Sequence, residues 1–181
     1  MPHLIVALVG YKGCGKSTAA KEFYVAGFTR VRFAEGLKNM LKSLGLTNEH
    51  VDGALKEEPC DLLNGVTPRF AMQTLGTEWG RHCIHPNFWI DHWKRQVDRL
   101  PAHIPVVVDD LRFPNEREAL IDLGGKIIWV HRPDVGRSSD HPSEDLSHLI
   151  NYVKEQIHNN GTEEEFKVKA RELALNLKNR T

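Results

Sequence analysis

A glycine-rich segment near the N-terminus has the residue types and spacing of a phosphate-binding loop. Residues 10–18 read Gly-Tyr-Lys-Gly-Cys-Gly-Lys-Ser-Thr, which fills every fixed position of the pattern G-x-x-x-x-G-K-[ST]. In such a loop, glycines let backbone N–H groups turn inward around a phosphate, and the following helix adds the positive end of its dipole. Lys16 is then expected to contact the β- and γ-phosphates of ATP, and the Ser17 hydroxyl to ligate Mg²⁺. The residues expected to bind ATP are Gly10, Lys12, Gly13, Cys14, Gly15, Lys16, Ser17 and Thr18.

The segments on either side of the loop fit this interpretation. Residues 4–9 form a continuous apolar run that predicts a strand buried on both faces of a parallel sheet. Residues 17–26 carry apolar side chains at helical spacing. Strand, glycine loop and helix is the order that a phosphate-binding loop requires, and the alternative is a glycine-rich turn with a chance Lys-Ser.

A second apolar run ends in two carboxylates. Residues 105–110 read Pro-Val-Val-Val-Asp-Asp. A carboxylate at the C-terminal end of a parallel strand lies beside the metal shell in enzymes with a phosphate-binding loop. Side chains alternate in direction along a strand, so only one of the pair faces the metal. We assign Asp110, with Asp109 as the other candidate, and the alternative is an ordinary strand end with turn residues.

Composition limits the classes of function. The 181 residues include 24 basic and 24 acidic side chains, with zero formal net charge. This balance argues against a nucleic acid polymer or an anionic membrane surface as the partner. The three cysteines have no pairing pattern, and the N-terminus lacks the features of a signal peptide, which predicts a reduced, cytoplasmic protein.

The order of elements predicts an α/β fold. Strands alternate with helices, which favours a three-layer α/β/α fold with a five-stranded parallel sheet in a single domain over residues 1–181. Residues 28–34 are expected to form the second strand. Thr67 is expected to cap a helix that runs from Pro68 past Trp79, and another helix is expected over residues 88–100. A long helical insertion, about residues 45–101, would hold the second substrate.

A polar segment follows the late strand at residues 126–131. It contains Arg132 and Arg137 and could close over the phosphates as a lid, about residues 132–145. The alternative is a solvated surface loop.

The whole arrangement resembles a known family. The chain is similar to the deoxynucleoside monophosphate kinases of bacteriophages, within the nucleoside monophosphate kinases that have a phosphate-binding loop. After the loop itself, the most specific match is Arg-x-x-x-Gln-x-x-Gly-Thr at residues 69–77. Other matching segments are residues 33–38, 88–89, 110–112, 131–133, 140–144 and 159–162. The chain is shorter than some members near residues 56–69.

The resemblance implies a pocket for the monophosphate. Its residues would be Phe33, Lys38, Arg69, Gln73, Gly76, Thr77 and Trp89. An arginine fork suits a 5′-phosphate, an amide can read a base edge, and an indole can stack on a base. The alternatives are that Arg69 is a surface residue and Trp89 a core residue. His82, Cys83 and His85 have no partner cluster and are not interpreted as a metal site.

These observations predict transfer of the γ-phosphate of ATP to a deoxynucleoside monophosphate. Catalysis would rest on Lys16, Arg112, Arg132 and Arg137 together with Mg²⁺. The expected partners are the small molecules ATP and dNMP, and a homodimer is left open. The alternatives are another small-molecule kinase of this fold, such as a dephospho-coenzyme A kinase, or a nucleotide-dependent switch or ATPase.

Overall fold

The computed structural model describes residues 3–136 and 145–180, and within them five strands form one parallel sheet. The strands are β1 (Ile5–Val9), β2 (Thr29–Arg30), β3 (Val106–Val108), β4 (Lys126–His131) and β5 (Val153–His158). Their order across the sheet is β2-β3-β1-β4-β5, so β1 lies in the centre. The predicted five-stranded parallel sheet is confirmed.

Helices connect the strands, and several shorter helical turns lie between them. The α-helices are α1 (Lys16–Val25), α2 (Glu35–Ser43), α3 (Asn48–Val51), α4 (Pro68–Thr74), α5 (Phe88–Asp98), α6 (Pro114–Asp122) and α7 (Glu163–Asn179). A π-helix covers Leu75–Ile84, and 3₁₀ helices cover Ala54–Glu57, Asp61–Leu63 and Ser147–Tyr152. In the part of the chain that the structure describes, no helix is long and apolar enough to cross a membrane.

The central strand β1 is apolar throughout because both of its faces are buried. Val6 and Leu8 lie in a cluster with the inner faces of α1 and α7, to which Phe23 and Phe166 contribute. The side chains that alternate with them along β1 are buried as well. A strand buried on both faces has no polar side for solvent, which explains the continuous apolar run.

The second strand is shorter than predicted. The expectation was a strand over residues 28–34, but only Thr29–Arg30 pair with β3. β2 is an edge strand with a single neighbour, and that neighbour ends at Val108. The Val31 N–H donates to the Val107 carbonyl at 3.0 Å, and the regular pairing of β2 with β3 ends there.

The helix that Thr67 caps also differs from the prediction. The Thr67 hydroxyl accepts from the Phe70 N–H at 3.2 Å, and Pro68 occupies the first turn, as expected. However, the α-helix ends at Thr74, and the π-helix Leu75–Ile84 follows instead of a continuous helix. The Gly76 carbonyl accepts from the Trp89 indole N–H and from Arg81 Nη1, both at 2.9 Å. These side-chain donors contact the π-helix from α5 and from its own next turn.

The last helix begins at the predicted cap. The Thr162 hydroxyl accepts from the Glu165 N–H, and the Thr162 N–H donates to the Glu165 carboxylate at 2.8 Å. Hydrogen bonds from the backbone N–H and then the side chain of Thr162 stabilise the charged carboxylate, and they hold the pKa of the Glu165 carboxyl below its ordinary value.

The chain divides into two compact units. One consists of residues 1–32 and 96–181 and contains the sheet, and the other is Phe33–Arg95 and is helical in its regular elements. A core of its own holds the second unit together, with buried side chains from Leu37, Leu41, Leu46, Val51, Met72 and Trp89.

Candidate active site

The predicted phosphate-binding loop joins β1 to α1 and has the backbone that its glycines permit. Gly10, Gly13 and Gly15 all have positive φ angles, of 149°, 86° and 109°. A Cβ atom on Gly10 would lie 2.5 Å from the Val130 carbonyl oxygen. These positions therefore require glycine for conformation, and Gly10 requires it for space as well.

Lys16 begins α1 directly after the loop. Its ammonium donates to the carbonyl oxygens of Gly10 at 2.6 Å and Tyr11 at 2.9 Å, which holds it against the loop. Within the loop, Ser17 is exposed, whereas the Cys14 side chain is buried. The loop thus presents a cation and a hydroxyl at the N-terminal end of a helix, where an anion is favoured.

The two candidate metal carboxylates have different surroundings. Asp109 is buried, and its oxygens accept from Arg30 Nε at 2.9 Å and Nη2 at 2.5 Å. Asp110 is partly exposed. β3 pairs in parallel with β1 from Ile5 to Ala7, so the C-terminal ends of both strands lie at the same edge of the sheet. Asp109 and Asp110 therefore follow β3 at the edge from which the phosphate-binding loop leaves β1.

One of the predicted lid arginines lies beside the loop. Arg132 follows β4, and its Nη1 atom lies 3.4 Å from the Gly13 carbonyl oxygen. Arg137 and most of the predicted lid at residues 132–145 lie outside the described residues. Arg112 starts the segment before α6, where its backbone N–H donates to the buried carboxylate of Glu116 at 2.9 Å.

The residues expected to bind the monophosphate all lie in the unit Phe33–Arg95. Arg69, in the first turn of α4, contacts a Glu57 carboxylate oxygen through Nε. The buried Lys38 ammonium donates to Asp52 Oδ1 at 2.6 Å. Gln73 lies in α4 and Thr77 in the π-helix, and both are partly buried.

The aromatic residues of this set are buried. Phe33 is 2% exposed, and its ring packs against Trp93 with centroids 4.6 Å apart. Trp89 is 3% exposed and packs against Phe88 at 4.8 Å, while its indole N–H donates to the Gly76 carbonyl. The structure therefore favours the alternative that Trp89 is a core residue, because its ring has no open face for a base.

Sequence reasoning missed several residues that hold these groups in place. Arg30 engages Asp109, Glu116 accepts from the Arg112 N–H, and Gly80 leaves room for the Trp89 indole, which a Cβ would overlap. The Glu116 contact had a signal, since Pro114 followed by a glutamate marks a capped helix start. Among the described residues, no group of three or more His, Cys, Asp or Glu side chains is arranged to hold a metal ion.

Comparisons with a family model and with known sequences all find deoxynucleotide monophosphate kinases. The family model for deoxynucleotide monophosphate kinase matches residues 54–170. A protein of Acanthamoeba polyphaga mimivirus, assigned as a deoxynucleotide monophosphate kinase, is 35% identical over 177 residues, covering 90% of this chain and 92% of its own. The deoxynucleoside-5′-monophosphate kinase of Escherichia phage T5 is 31% identical over 86 residues, covering 44% of this chain and 34% of its own.

Solved structures share the fold at low sequence identity. A Thermus thermophilus protein has a TM-score of 0.51 at 18% identity, covering 97% of this chain and 98% of its own. The dephospho-CoA kinase of Campylobacter jejuni has a TM-score of 0.52 at 13% identity, covering 96% of each chain. These likenesses establish the α/β fold alone.

Proposed function

This chain belongs to the deoxynucleotide monophosphate kinase family, and on that basis we propose how its residues transfer the γ-phosphate of ATP to a deoxynucleoside monophosphate. The observation that carries the proposal is the glycine loop at the N-terminus of α1, with Lys16 against it. The products of the reaction are ADP and the deoxynucleoside diphosphate. The protein is a phosphotransferase whose acceptor is itself a phosphate.

The donor side of the reaction rests on the loop. Backbone N–H groups at Gly13, Gly15 and Lys16 bind the phosphates of ATP, and the Lys16 ammonium moves from the loop carbonyls to the β- and γ-phosphates. Arg132 adds a positive charge next to the loop, and its 3.4 Å approach to the Gly13 carbonyl supports this role. Arg112 and Arg137 complete the proposed set of catalytic cations.

The residues at this edge of the sheet fit a magnesium ion. Mg²⁺ prefers oxygen ligands, and Ser17 carries a hydroxyl and Asp110 a carboxylate. Asp109 suits this role less well because Arg30 engages both of its oxygens. When bound, Mg²⁺ would neutralise charge on the transferring phosphates.

The acceptor side needs no strong general base. A phosphate monoester has a second pKa of about 6, so it is mostly dianionic at neutral pH and already nucleophilic. Catalysis then consists of positioning the two phosphates in line and neutralising their charge. We assign Arg69 to the acceptor 5′-phosphate. Gln73 and Thr77 lie close to it in sequence on the same helical segment, and we assign them to the nucleoside. Lys38, Gly76, Phe33 and Trp89 then support that segment.

The alternative function is that of a dephospho-coenzyme A kinase, an enzyme with the same fold. Its support is the shared fold at 13% identity, whereas the mimivirus relative matches nearly the whole chain at 35%. Sequence relationship at that level is the stronger argument, because one fold hosts many activities.

The deciding experiment is a coupled assay of ADP release with ATP, Mg²⁺ and each of eight deoxy- and ribonucleoside monophosphates in turn. We expect one or more deoxynucleoside monophosphates to be converted to diphosphates with matching ADP release. Turnover of dephospho-coenzyme A in place of any monophosphate would support the alternative kinase. ADP release that is independent of an acceptor would support an ATPase.

A further inference from the structure

One contact beneath the phosphate-binding loop comes from the opposite end of the chain. Asn159 directly follows β5, and its side-chain Nδ2 donates to the Cys14 carbonyl oxygen at 3.0 Å. Its backbone N–H donates to the His131 carbonyl at 2.7 Å. The backbone bond holds Asn159 at the end of the sheet, so its amide is a fixed donor aimed at the loop.

The geometry of the peptide group gives this contact a consequence for the loop. In a trans peptide, the carbonyl of one residue and the N–H of the next point in opposite directions. Holding the Cys14 carbonyl towards Asn159 therefore turns the Gly15 N–H away from Asn159. Gly15 caps α1, and Lys16 is the first residue of that helix. The orientation of the Cys14–Gly15 peptide thus sets the direction of the Gly15 N–H. It also sets the position from which the backbone continues to Lys16.

Packing at Gly15 supports the same conclusion. A Cβ atom on Gly15 would lie 2.7 Å from Asn159 Nδ2 and 2.9 Å from the Phe166 ring, at a φ of 109°. The loop therefore rests directly on Asn159 and on the buried side chain of Phe166. Because these side chains pack closely against Gly15, we expect the Asn159 hydrogen bond to fix the rotation of the Cys14–Gly15 peptide.

We propose that Asn159 is a positioning residue for ATP, which acts by fixing the Cys14–Gly15 peptide so that the Gly15 N–H is available to the phosphates. The inference rests on the proposed function of the loop as the ATP site. Asn159 does not itself touch the reacting atoms. Its effect is on ATP binding, whereas binding of the monophosphate depends on residues of the unit Phe33–Arg95.

Asn159→Asp tests this role because it keeps the shape of the side chain and the backbone bond to His131. It replaces the donor with a carboxylate oxygen, which repels the Cys14 carbonyl. Asn160→Asp is the matched control, with the same new charge one residue further along. The Asn160 side chain is an acceptor for Lys169 Nζ at 3.2 Å, and an aspartate preserves this contact. Asn159→Ala removes the donor without adding charge.

The measurements are the Kd of ATP by titration calorimetry, the KM values of ATP and dNMP, and thermal unfolding without ligand. We expect Asn159→Asp to raise the Kd and KM of ATP about tenfold above those of Asn160→Asp, as suits the loss of one partly buried hydrogen bond. Asn159→Ala should change ATP binding in the same direction, and the KM of dNMP should stay the same in all three variants.

Equal ATP affinity of Asn159→Asp and Asn160→Asp, with both folded, would overturn the inference. If Asn159→Asp does not fold, the comparison of Asn159→Ala with wild type decides in the same way. ATP binding is measured without an acceptor, so the test is independent of which monophosphate is used. If wild type binds ATP but phosphorylates no monophosphate, the proposed function fails, while the result at Asn159 still stands.

Discussion

At the scale of single residues, Arg69 carries a specific expectation for the acceptor. Its side chain is about one-third exposed and contacts Glu57 through Nε. A bond at Nε fixes the plane of the guanidinium, which leaves the geometry of its fork well suited to a planar or tetrahedral oxyanion. Glu57 would then orient Arg69 for the 5′-phosphate.

Arg69→Ala should weaken use of every accepted dNMP by roughly tenfold to a hundredfold, because a charge-assisted pair of about 1.5–3 kcal/mol is lost. The KM of ATP should change little, since the ATP loop is in the other unit of the chain. Steady-state kinetics with the two substrates varied independently measure this. Arg95→Ala, an exposed arginine of the same unit, is the control. A defect confined to the KM of ATP would remove Arg69 from the acceptor site.

Substitutions of the adjacent carboxylates Asp109 and Asp110 should have different effects, one on stability and the other on metal dependence. Asp110→Asn should raise the Mg²⁺ concentration for half-maximal activity by about tenfold or more. Asp109→Asn should instead lower the free energy of unfolding by about 1.5–3 kcal/mol, because the Arg30 guanidinium loses a charged partner. Mg²⁺ titrations and denaturant unfolding give both quantities. The reverse pattern would identify Asp109 as the metal ligand.

At the scale of elements, the π-helix Leu75–Ile84 is the unusual feature of the predicted acceptor segment. Gly76 and Gly80 both lie in it and both are buried. The Trp89 side chain from α5 packs where a Cβ of Gly80 would otherwise be, and its indole N–H donates to the Gly76 carbonyl. The wide helical turns therefore depend on a tertiary contact, and they determine where Thr77 lies relative to Gln73.

Gly80→Ala should destabilise the protein by about 1–3 kcal/mol through overpacking against Trp89. It should also raise the KM of dNMP, because relief of the overlap displaces the π-helix. The double variant with Trp89→Phe makes space at the indole, so its loss of stability should be smaller than the sum of the two single losses. Denaturant unfolding of the three variants measures the coupling. Additive losses would show that Gly80 and Trp89 do not constrain each other.

At the scale of the whole molecule, the two compact units separate the predicted substrate contacts. The phosphate-binding loop, Asp110, Arg112 and Arg132 belong to the unit with the sheet. The predicted contacts of the monophosphate belong to Phe33–Arg95. This division is close to the predicted insertion at residues 45–101, although the unit begins and ends earlier in the chain.

Binding of ATP should stabilise the folded chain through the loop, and Lys16 should be essential for both binding and turnover. At a concentration of 100 times Kd, ATP adds about 2.7 kcal/mol to the free energy of unfolding, which raises Tm by roughly 5–10 °C for a chain of this size. Lys16→Ala should lose most of this shift and lower kcat by at least about a hundredfold.

The ligand-free Tm of Lys16→Ala should stay near that of wild type, because the ammonium donates to the Gly10 and Tyr11 carbonyls of the loop itself. Lys21→Ala, an exposed lysine of the same helix, is the control and should keep both the shift and the turnover. Near-normal turnover of a folded Lys16→Ala variant would contradict the assignment of the loop.

The sequence by itself determined the features that depend on neighbouring residues. The glycine pattern at residues 10–18, the apolar run of β1 and the caps at Thr67 and Thr162 are local, and each has a direct physical reason in a few adjacent positions. Alternation of strands and helices was enough to predict a five-stranded parallel sheet, because parallel strands need crossover connections.

Only the tertiary structure decided which distant residues meet. Asn159 contacts Cys14 across 145 positions, and Arg30 contacts Asp109 across 79. The short β2 and the π-helix likewise reflect partners elsewhere in the chain, namely the end of β3 and the Trp89 indole. The spacing of residues along a sequence does not give the distance in space between such partners, since these contacts form only when the sheet and helices have packed.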